Sequence, residues 1–181
     1  MRLTSSTHNH TNLCDGRNTP EEMARAALEA GFTDFGFSGH SYAPFDLDYS
    51  VKSEQHYVQE LRALQKAYAG RLRIAVGMEA DWFAPVNDRA ALEVLDACAA
   101  TGAVFEVNTG GMFRGYCGEP YPSRFLLEAL RKSGARVTVN ADAHCTEAVR
   151  FRFDETLALL RDIGFTAVTV LEDGMFVEKP L

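Results

Sequence analysis

The chain has 181 residues and a formal net charge of −7. A chain of this length buries roughly 70% of its unfolded surface, so we expect one domain that spans residues 1–181. The basic residues are scattered, which argues against binding to long nucleic acid. No apolar run is long enough to cross a membrane, and the start Met1-Arg2 lacks the apolar core of a signal peptide. We therefore expect a soluble, cytoplasmic protein with no membrane partner.

Strand and helix patterns alternate along the chain. The first helix has the clearest start, because Thr19-Pro20-Glu21-Glu22 is a capping box with proline at the first helical position. Glycine follows every predicted helix, and β-branched residues are frequent in the predicted strands. The predicted strands are Leu3–Thr7, Asp34–Phe37, Leu72–Val76, Val104–Val107, Arg136–Val139 and Ala167–Leu171. The predicted helices run from Pro20 to Gly31, from Ser53 to Gly70, and over Ala90–Ala100, Ser123–Lys132 and Asp154–Ile163.

This alternation predicts an α/β fold with a mainly parallel sheet or barrel. In parallel barrels the active site lies at the carboxyl ends of the strands. Polar residues that directly follow the predicted strands are therefore candidates for an active site.

Four of the five histidines stand in short motifs that follow predicted strands. His8 and His10 are two residues apart on an extended backbone, so their side chains point to the same side. Asp142 and His144 repeat this spacing with one carboxylate and one imidazole. Such a mixed set of oxygen and nitrogen donors suits zinc, manganese or iron rather than calcium. The pattern predicts a metal site.

Three further candidate ligands belong to the same pattern. His40 ends the motif Ser38-Gly39-His40, Glu79 follows the strand Leu72–Val76, and Asp15 stands in the turn Cys14-Asp15-Gly16. A single histidine at a strand end is as well explained by structural hydrogen bonding, but the combined set favours metal binding. The fifth histidine, His56, stands in a polar helical stretch and is predicted to be a surface residue.

The four cysteines, Cys14, Cys98, Cys117 and Cys145, form no CxxC pair and no spacing typical of disulfides. This usage is typical of reduced thiols in a reducing compartment. Cys14 and Cys145 flank candidate ligands. Each is either an accessory ligand or, as we favour, a small apolar residue beside the site.

The motifs resemble those of the polymerase and histidinol phosphatase (PHP) family, most closely its histidinol-phosphatase branch. The matching stretches are Thr7-His8-Asn9-His10, Asp15-Gly16, Ser38-Gly39-His40, Gly77-Met78-Glu79-Ala80-Asp81, Phe105-Glu106-Val107-Asn108-Thr109 and Ala141-Asp142-Ala143-His144. The resemblance implies a distorted (β/α)7 TIM-like barrel that hydrolyses phosphate monoesters. It also implies two to three divalent transition-metal ions: zinc, manganese or iron.

The resemblance further implies how the ligands are shared. One ion is expected on His8, His10, Glu79 and Asp142, and another on Asp15, His40 and His144. Glu79 is expected to bridge to a third ion. Catalytic roles are implied for Asp15, His40, Glu79, Asp142 and His144.

The sequence departs from the family pattern after Asp81. Val86-Asn87-Asp88-Arg89 runs directly into the third predicted helix, where the family has two more histidine-bearing strands. About two βα units and two ligands of the third ion are therefore missing. Either the barrel is incomplete, a second chain closes it, or the sequence is part of a longer polypeptide. Because unpaired strand edges invite association, a homo-oligomer is one expectation.

Three arginines are candidates for binding a phosphate group: Arg17, Arg114 and Arg150. A guanidinium group can donate two parallel hydrogen bonds to a phosphate. Arg114 is favoured because it stands in the glycine-rich segment Gly110–Gly115, predicted to be a loop, and the histidinol-phosphatase branch has an arginine in a similar place. For each of the three, a solvated surface charge is the alternative.

The sequence therefore predicts a metal-dependent phosphatase acting on a small phosphorylated substrate through a metal-activated water. Two alternatives stay open: a protein that binds metal or phosphate without turnover, and a nucleotide or oligonucleotide phosphoesterase. The role of Glu106 is also open, since it is either an outer partner of the site or a carboxylate of the core.

Overall fold

The computed structural model describes residues 2–42, 48–79 and 88–181. For residues 88–91 and 94 of the last range it describes the backbone but not the side chains. The strands are β1 (Ser5–Ser6), β2 (Asp34–His40), β3 (Arg73–Glu79), β4 (Val104–Asn108), β5 (Arg136–Asn140), β6 (Ala167–Glu172) and β7 (Met175–Pro180). The helices are α1 (Pro20–Glu29), α2 (Glu54–Ala67), α3 (Asp88–Ala100), α4 (Gly110–Phe113), α5 (Arg124–Ser133) and α6 (Phe153–Ile163). The motif residues Ala80-Asp81 and the start of the departure from the family pattern lie outside the described residues.

The helix ends follow the sequence signals. Thr19 Oγ1 accepts a hydrogen bond from the Glu22 N–H, and the Glu22 carboxylate accepts one from the Thr19 N–H at 2.8 Å, which confirms the predicted capping box. Helices α5 and α6 end at Gly134 and Gly164, which adopt φ values of 72° and 97°. Within the described residues, no helix has the length and apolar character needed to cross a membrane.

Five strands pair in parallel, as the sequence predicted. One sheet has the order β1-β2-β3, and a second pairs β4 with β5. An isolated parallel bridge joins Asn9 to Ala143, where the His10 N–H donates to the Ala143 carbonyl at 2.8 Å. The chain beyond β1 therefore lies beside the chain beyond β5. The described strands form three hydrogen-bonded sheets, and no closed barrel is seen among them.

Two segments differ from the sequence predictions. Strand β6 pairs antiparallel with β7, which was not predicted, and a turn at Asp173-Gly174 joins them. Asp173 and Gly174 have φ values of 52° and 77°, the left-handed conformations that tight hairpins need, so Asp-Gly was the overlooked signal. The segment predicted as a glycine-rich loop after β4 instead begins with the short helix α4.

The turn of this hairpin is tied to the amino ends of β2 and β3. Arg73, the first residue of β3, donates to Asp34 at 2.7 Å and to Asp173 at 2.6 Å. Asp34, the first residue of β2, is completely buried, so Arg73 neutralises a carboxylate that water does not reach. The ion pairs join three elements at the end of the sheet opposite the histidine motifs.

Helix α2 packs its predicted apolar face, which includes Tyr57 and Leu61, into the core. The Tyr57 hydroxyl accepts a hydrogen bond from the Gly39 N–H at 2.9 Å and donates one to the Gly77 carbonyl at 3.1 Å. It thereby links β2 and β3 next to their last residues. A Cβ atom at Gly39 would lie 3.1 Å from the Tyr57 ring, so the close approach favours glycine there.

Replacing Tyr57 by phenylalanine should lower the free energy of unfolding by about 1–3 kcal/mol, because the buried Gly39 N–H loses its acceptor. Urea denaturation of the metal-free protein would measure this. Tyr42→Phe is the matched control, since Tyr42 is 50% exposed and should change stability little. Equal stability of the Tyr57 variant and the wild type would contradict the assigned role of the hydroxyl.

Candidate metal centre

The structure brings the seven predicted ligands together at the carboxyl ends of the parallel strands. Because parallel strands end at the same edge of a sheet, residues far apart in sequence meet there. The set comprises His8 and His10 beyond β1, Asp15 in the following turn, His40 at the end of β2, Glu79 at the end of β3, and Asp142 and His144 beyond β5.

Four of these residues point single donor atoms at a common point. His8 Nε2 lies 3.1 Å from His10 Nε2 and 3.0 Å from Glu79 Oε2. His10 Nε2 lies 3.3 Å from the same Glu79 oxygen and 3.2 Å from Asp142 Oδ1. The His8 Nε2 to Asp142 Oδ1 distance is 3.6 Å.

These spacings fit one tetrahedral ion. With bonds of 2.0–2.1 Å to nitrogen and oxygen, a tetrahedral ion places its ligand atoms about 3.4 Å apart. The five measured separations, from 3.0 to 3.6 Å, surround that value. Two imidazoles and two carboxylates are a donor set that zinc, manganese and iron accept.

The second group is more open. Asp15 Oδ2 lies 3.0 Å from His144 Nε2 and 3.7 Å from His40 Nε2. His40 Nδ1 lies 3.4 Å from Glu79 Oε2, so Glu79 stands between the two groups. Three donors leave positions for water or substrate on an ion held there, which is typical of catalytic sites.

Glu106 of β4 orients His8. His8 Nδ1 lies 2.9 Å from both Glu106 oxygens, so we assign the ring proton to Nδ1, where Glu106 accepts it. Asn108 donates to Glu106 Oε1 at 2.8 Å and Asn140 donates to Oε2 at 2.7 Å. The arrangement leaves His8 Nε2 without a proton, as a metal ligand requires. No role was predicted for the two asparagines, although both end strands and Asn108 lies in a stretch that matches the family motifs.

Asp15 serves His10 in a similar way. Its Oδ1 lies 3.2 Å from His10 Nδ1, while its Oδ2 faces His40 and His144. A proton on His10 Nδ1 leaves Nε2 free for the first group. Cys14 Sγ lies 3.5 Å from the same Nδ1 and contacts the Thr11 carbonyl at 3.4 Å, so the thiol lies at the opposite edge of the ring from Nε2, which faces the first group.

The pKa values of the site residues show that positive charge stabilises its carboxylates. Burial lowers the pKa of His8, but hydrogen bonds to Glu106 and Glu79 outweigh it and raise the pKa to about 10. Burial likewise opposes the ionised form of Glu79, yet hydrogen bonds from His10 and His8 lower its pKa to about 2. Histidine contacts also outweigh burial at two other carboxyls, and the pKa values of Asp15 and Asp142 lie well below the usual range. Protons or divalent cations can supply this charge.

Two of the three candidate arginines line the cavity beside the cluster. The cavity has a volume of about 540 Å³, and Arg17 and Arg114 belong to its wall. Arg114 Nη2 donates to Asp142 Oδ2 at 2.8 Å, and its Nη1 lies 3.1 Å from His144 Nδ1. Arg114 is thus held against the ligands with part of its guanidinium facing the cavity.

Arg150 does not reach this cavity. Its guanidinium donates to the Leu3 carbonyl at 2.6 Å and lies 5.6 and 5.7 Å from the ring centres of Phe32 and Phe153. Leu3 precedes β1, at the end of the sheet opposite the histidines. Arg150, a candidate for phosphate binding, is therefore placed away from the ligand cluster, because aromatic packing and a backbone acceptor hold its side chain at the other end.

Asp142 adopts the left-handed conformation, with φ of 47°. Aspartate tolerates this region better than most residues, and such strained positions cluster at functional sites. Helix α4 begins directly against it, since a Cβ atom at Gly110 would lie 2.8 Å from Asp142 Oδ2. Glycine at this position therefore lets α4 approach the ligand closely.

The family model described as the PHP domain matches residues 6–174. The chain therefore belongs to the PHP domain family. A probable histidinol-phosphatase of Deinococcus radiodurans is 26% identical over 246 aligned positions, which cover 90% of this chain and 94% of that protein. The histidinol-phosphatase of Bacillus subtilis is 30% identical over 96 positions, covering 47% of this chain and 36% of that protein.

Among solved structures, the histidinol phosphate phosphatase of Lactococcus lactis, in complex with zinc, L-histidinol and phosphate, is similar to this chain with a TM-score of 0.74. The match covers 96% of this chain and 98% of that chain at 15% identity. At this identity the match shows the PHP fold alone. The 246 positions aligned with the Deinococcus protein outnumber the 181 residues of this chain, so part of that relative has no counterpart here.

Glu106→Gln should weaken metal binding by about 10- to 100-fold, because a neutral amide holds the His8 Nδ1 proton less strongly than a carboxylate. Isothermal titration calorimetry of the metal-free protein with zinc would measure the affinity. Glu60→Gln, at an exposed position of α2, is the control and should bind zinc like the wild type. Unchanged affinity in Glu106→Gln would contradict the orienting role.

Proposed function

We propose that the protein is a metal-dependent phosphatase that hydrolyses a small phosphate monoester, with histidinol phosphate as the first substrate to test. The supporting observation is the spacing of the donor atoms of His8, His10, Glu79 and Asp142, which suits one tetrahedral ion. The family membership and the histidinol phosphatases among the relatives support the same reaction class.

Two divalent ions fit the described residues. His8, His10, Glu79 and Asp142 would hold one, and Asp15, His40 and His144 would hold the other. When bound, such ions supply positive charge to phosphoryl oxygens and lower the pKa of water. Zinc, manganese and iron all match the donors. Sites for a third ion would need ligands beyond these seven.

Other side chains of the site orient the metal ligands and would position the phosphate. Glu106 and Asp15 keep protons on the Nδ1 atoms of His8 and His10, so that both Nε2 atoms stay available as donors. Arg114 and Arg17 face the cavity and would donate hydrogen bonds to the phosphate oxygens. Oriented imidazoles and arginines do not need to reorganise during the reaction, which favours catalysis by positioning and electrostatics.

We place the missing part of the fold between β3 and α3. The departure from the family pattern falls at this point of the sequence, and residues of the Deinococcus relative lack counterparts in this chain. A TIM-like barrel that lacks about two βα units would have an opening between β3 and β4. A second copy of the chain could cover that opening, which keeps the homo-oligomer among our proposals.

The decisive experiment pairs metal content with turnover. Purified protein loaded with zinc or manganese should contain at least two ions per chain by mass spectrometry and release phosphate from histidinol phosphate. His8→Ala should lose one ion and reduce phosphate release to background, because the first group loses a donor. His56→Ala, on an exposed part of α2, should match the wild type in both measurements. Bound metal without turnover of any monoester would favour a binding protein instead.

Arg114→Ala should lower kcat/KM by about 10- to 150-fold, the cost of one lost charge-assisted hydrogen bond to phosphate. Steady-state assays with histidinol phosphate would measure this, with Arg25→Ala on the exposed face of α1 as the control. Metal content must be measured in parallel, since Arg114 also contacts Asp142. A normal kcat/KM with normal metal content would exclude Arg114 from phosphate binding.

A further inference from the structure

One wall residue of the cavity is an aromatic side chain that packs little against the protein. Tyr116 is 74% exposed, the largest exposure of any large hydrophobic residue in the described part of the chain. It nevertheless lines the cavity that contains the candidate ligands. An aromatic ring this exposed contributes little hydrophobic free energy to folding. Its surface is available to a ligand.

The backbone that carries this ring is held in a hydrogen-bonded turn. The Tyr116 N–H donates to the Gly111 carbonyl at 2.9 Å, which closes the turn that follows α4. Gly115, directly before it, has a φ of 74°, a conformation that glycine adopts without strain. Gly111 is itself buried against neighbouring side chains, so the turn is anchored to the body of the protein.

Arg114 separates the ring from the metal ligands. Its guanidinium carbon lies 5.6 Å from the centre of the Tyr116 ring, while its Nη2 donates to Asp142. A phosphate group bound in the cavity against the ligands and Arg114 would therefore leave the alcohol part of its ester within reach of Tyr116. The order along the cavity is ligand cluster, guanidinium and aromatic ring.

We infer that Tyr116 determines specificity by stacking on a planar ring in the alcohol part of the substrate. The preferred substrates are then phosphate monoesters whose alcohol carries an imidazole or another aromatic ring. The inference rests on the proposed function, since it names the substrate class of the same cavity. Aromatic stacking of this kind contributes to binding rather than to the chemical step.

The test compares a substrate with a ring and one without. Histidinol phosphate carries an amine and an imidazole, whereas phosphoethanolamine carries the amine alone. Tyr116→Ala should raise KM for histidinol phosphate by about 2- to 12-fold, the range expected for a lost aromatic pair, with little change in kcat. Its KM for phosphoethanolamine should stay within about 2-fold of the wild type.

Two further variants separate stacking from other causes. Tyr116→Phe keeps the ring and should retain the wild-type KM for histidinol phosphate. Phe125→Ala removes a ring that is 54% exposed on α5 and does not line the cavity, so it should have no effect on either substrate. Equal changes on both substrates in Tyr116→Ala, or a raised KM in Tyr116→Phe, would overturn the inference.

A measurement of histidinol binding tests the role of Tyr116 without relying on turnover. Isothermal calorimetry with histidinol and the zinc-loaded protein should show weaker binding to Tyr116→Ala than to the wild type and to Tyr116→Phe. Absent binding, or equal binding to all three proteins, would overturn the inference. If the wild type binds histidinol through Tyr116 but hydrolyses neither ester, the proposed function fails while the recognition of a ring stands.

Discussion

Negative charge gathered at one edge of a parallel sheet is the constraint on which the rest of this site depends. Asp15, Glu79 and Asp142 meet there because the elements that precede them end at the same edge. Carboxylates this close repel one another unless cations lie between them, and the imidazoles alone neutralise them only when protonated. The fold thus places carboxylates where cations are needed to offset their repulsion. The positive charge of those cations can then attract a phosphate.

A second layer of hydrogen bonds makes the cluster rigid. Asn140 accepts from the Thr7 N–H at 2.8 Å and donates to Glu106, which in turn holds His8. The network therefore joins the chain after β1 to β4 and β5, although β1 lies in a different hydrogen-bonded sheet from these two strands. Each acceptor of Glu106 is occupied, so His8 has one ring orientation rather than several.

Six of the seven described strands and the clustering of the candidate ligands were predictable from the sequence because their signals are local. A histidine pair spaced by two on a strand, or a capping box before an apolar run, specifies its own geometry. Other features depend on tertiary contacts that no short motif carries. Arg150 was one candidate for phosphate binding, but two phenylalanines and the Leu3 carbonyl hold it at the opposite end. The part played by Glu106 likewise depends on His8, 98 residues away in the sequence.

The hairpin of β6 and β7 is held by ion pairs at the end of the sheet opposite the cavity. Its turn is fastened through Asp173 to Arg73, which also pairs with the buried Asp34. Asp34 and Arg73 begin β2 and β3, whose carboxyl ends carry His40 and Glu79. The length of β2 and β3 separates this fastening from the cavity. Mutations that strengthen or weaken this fastening can accumulate without reshaping the cavity, so the protein can adapt its thermal tolerance and its choice of substrate separately.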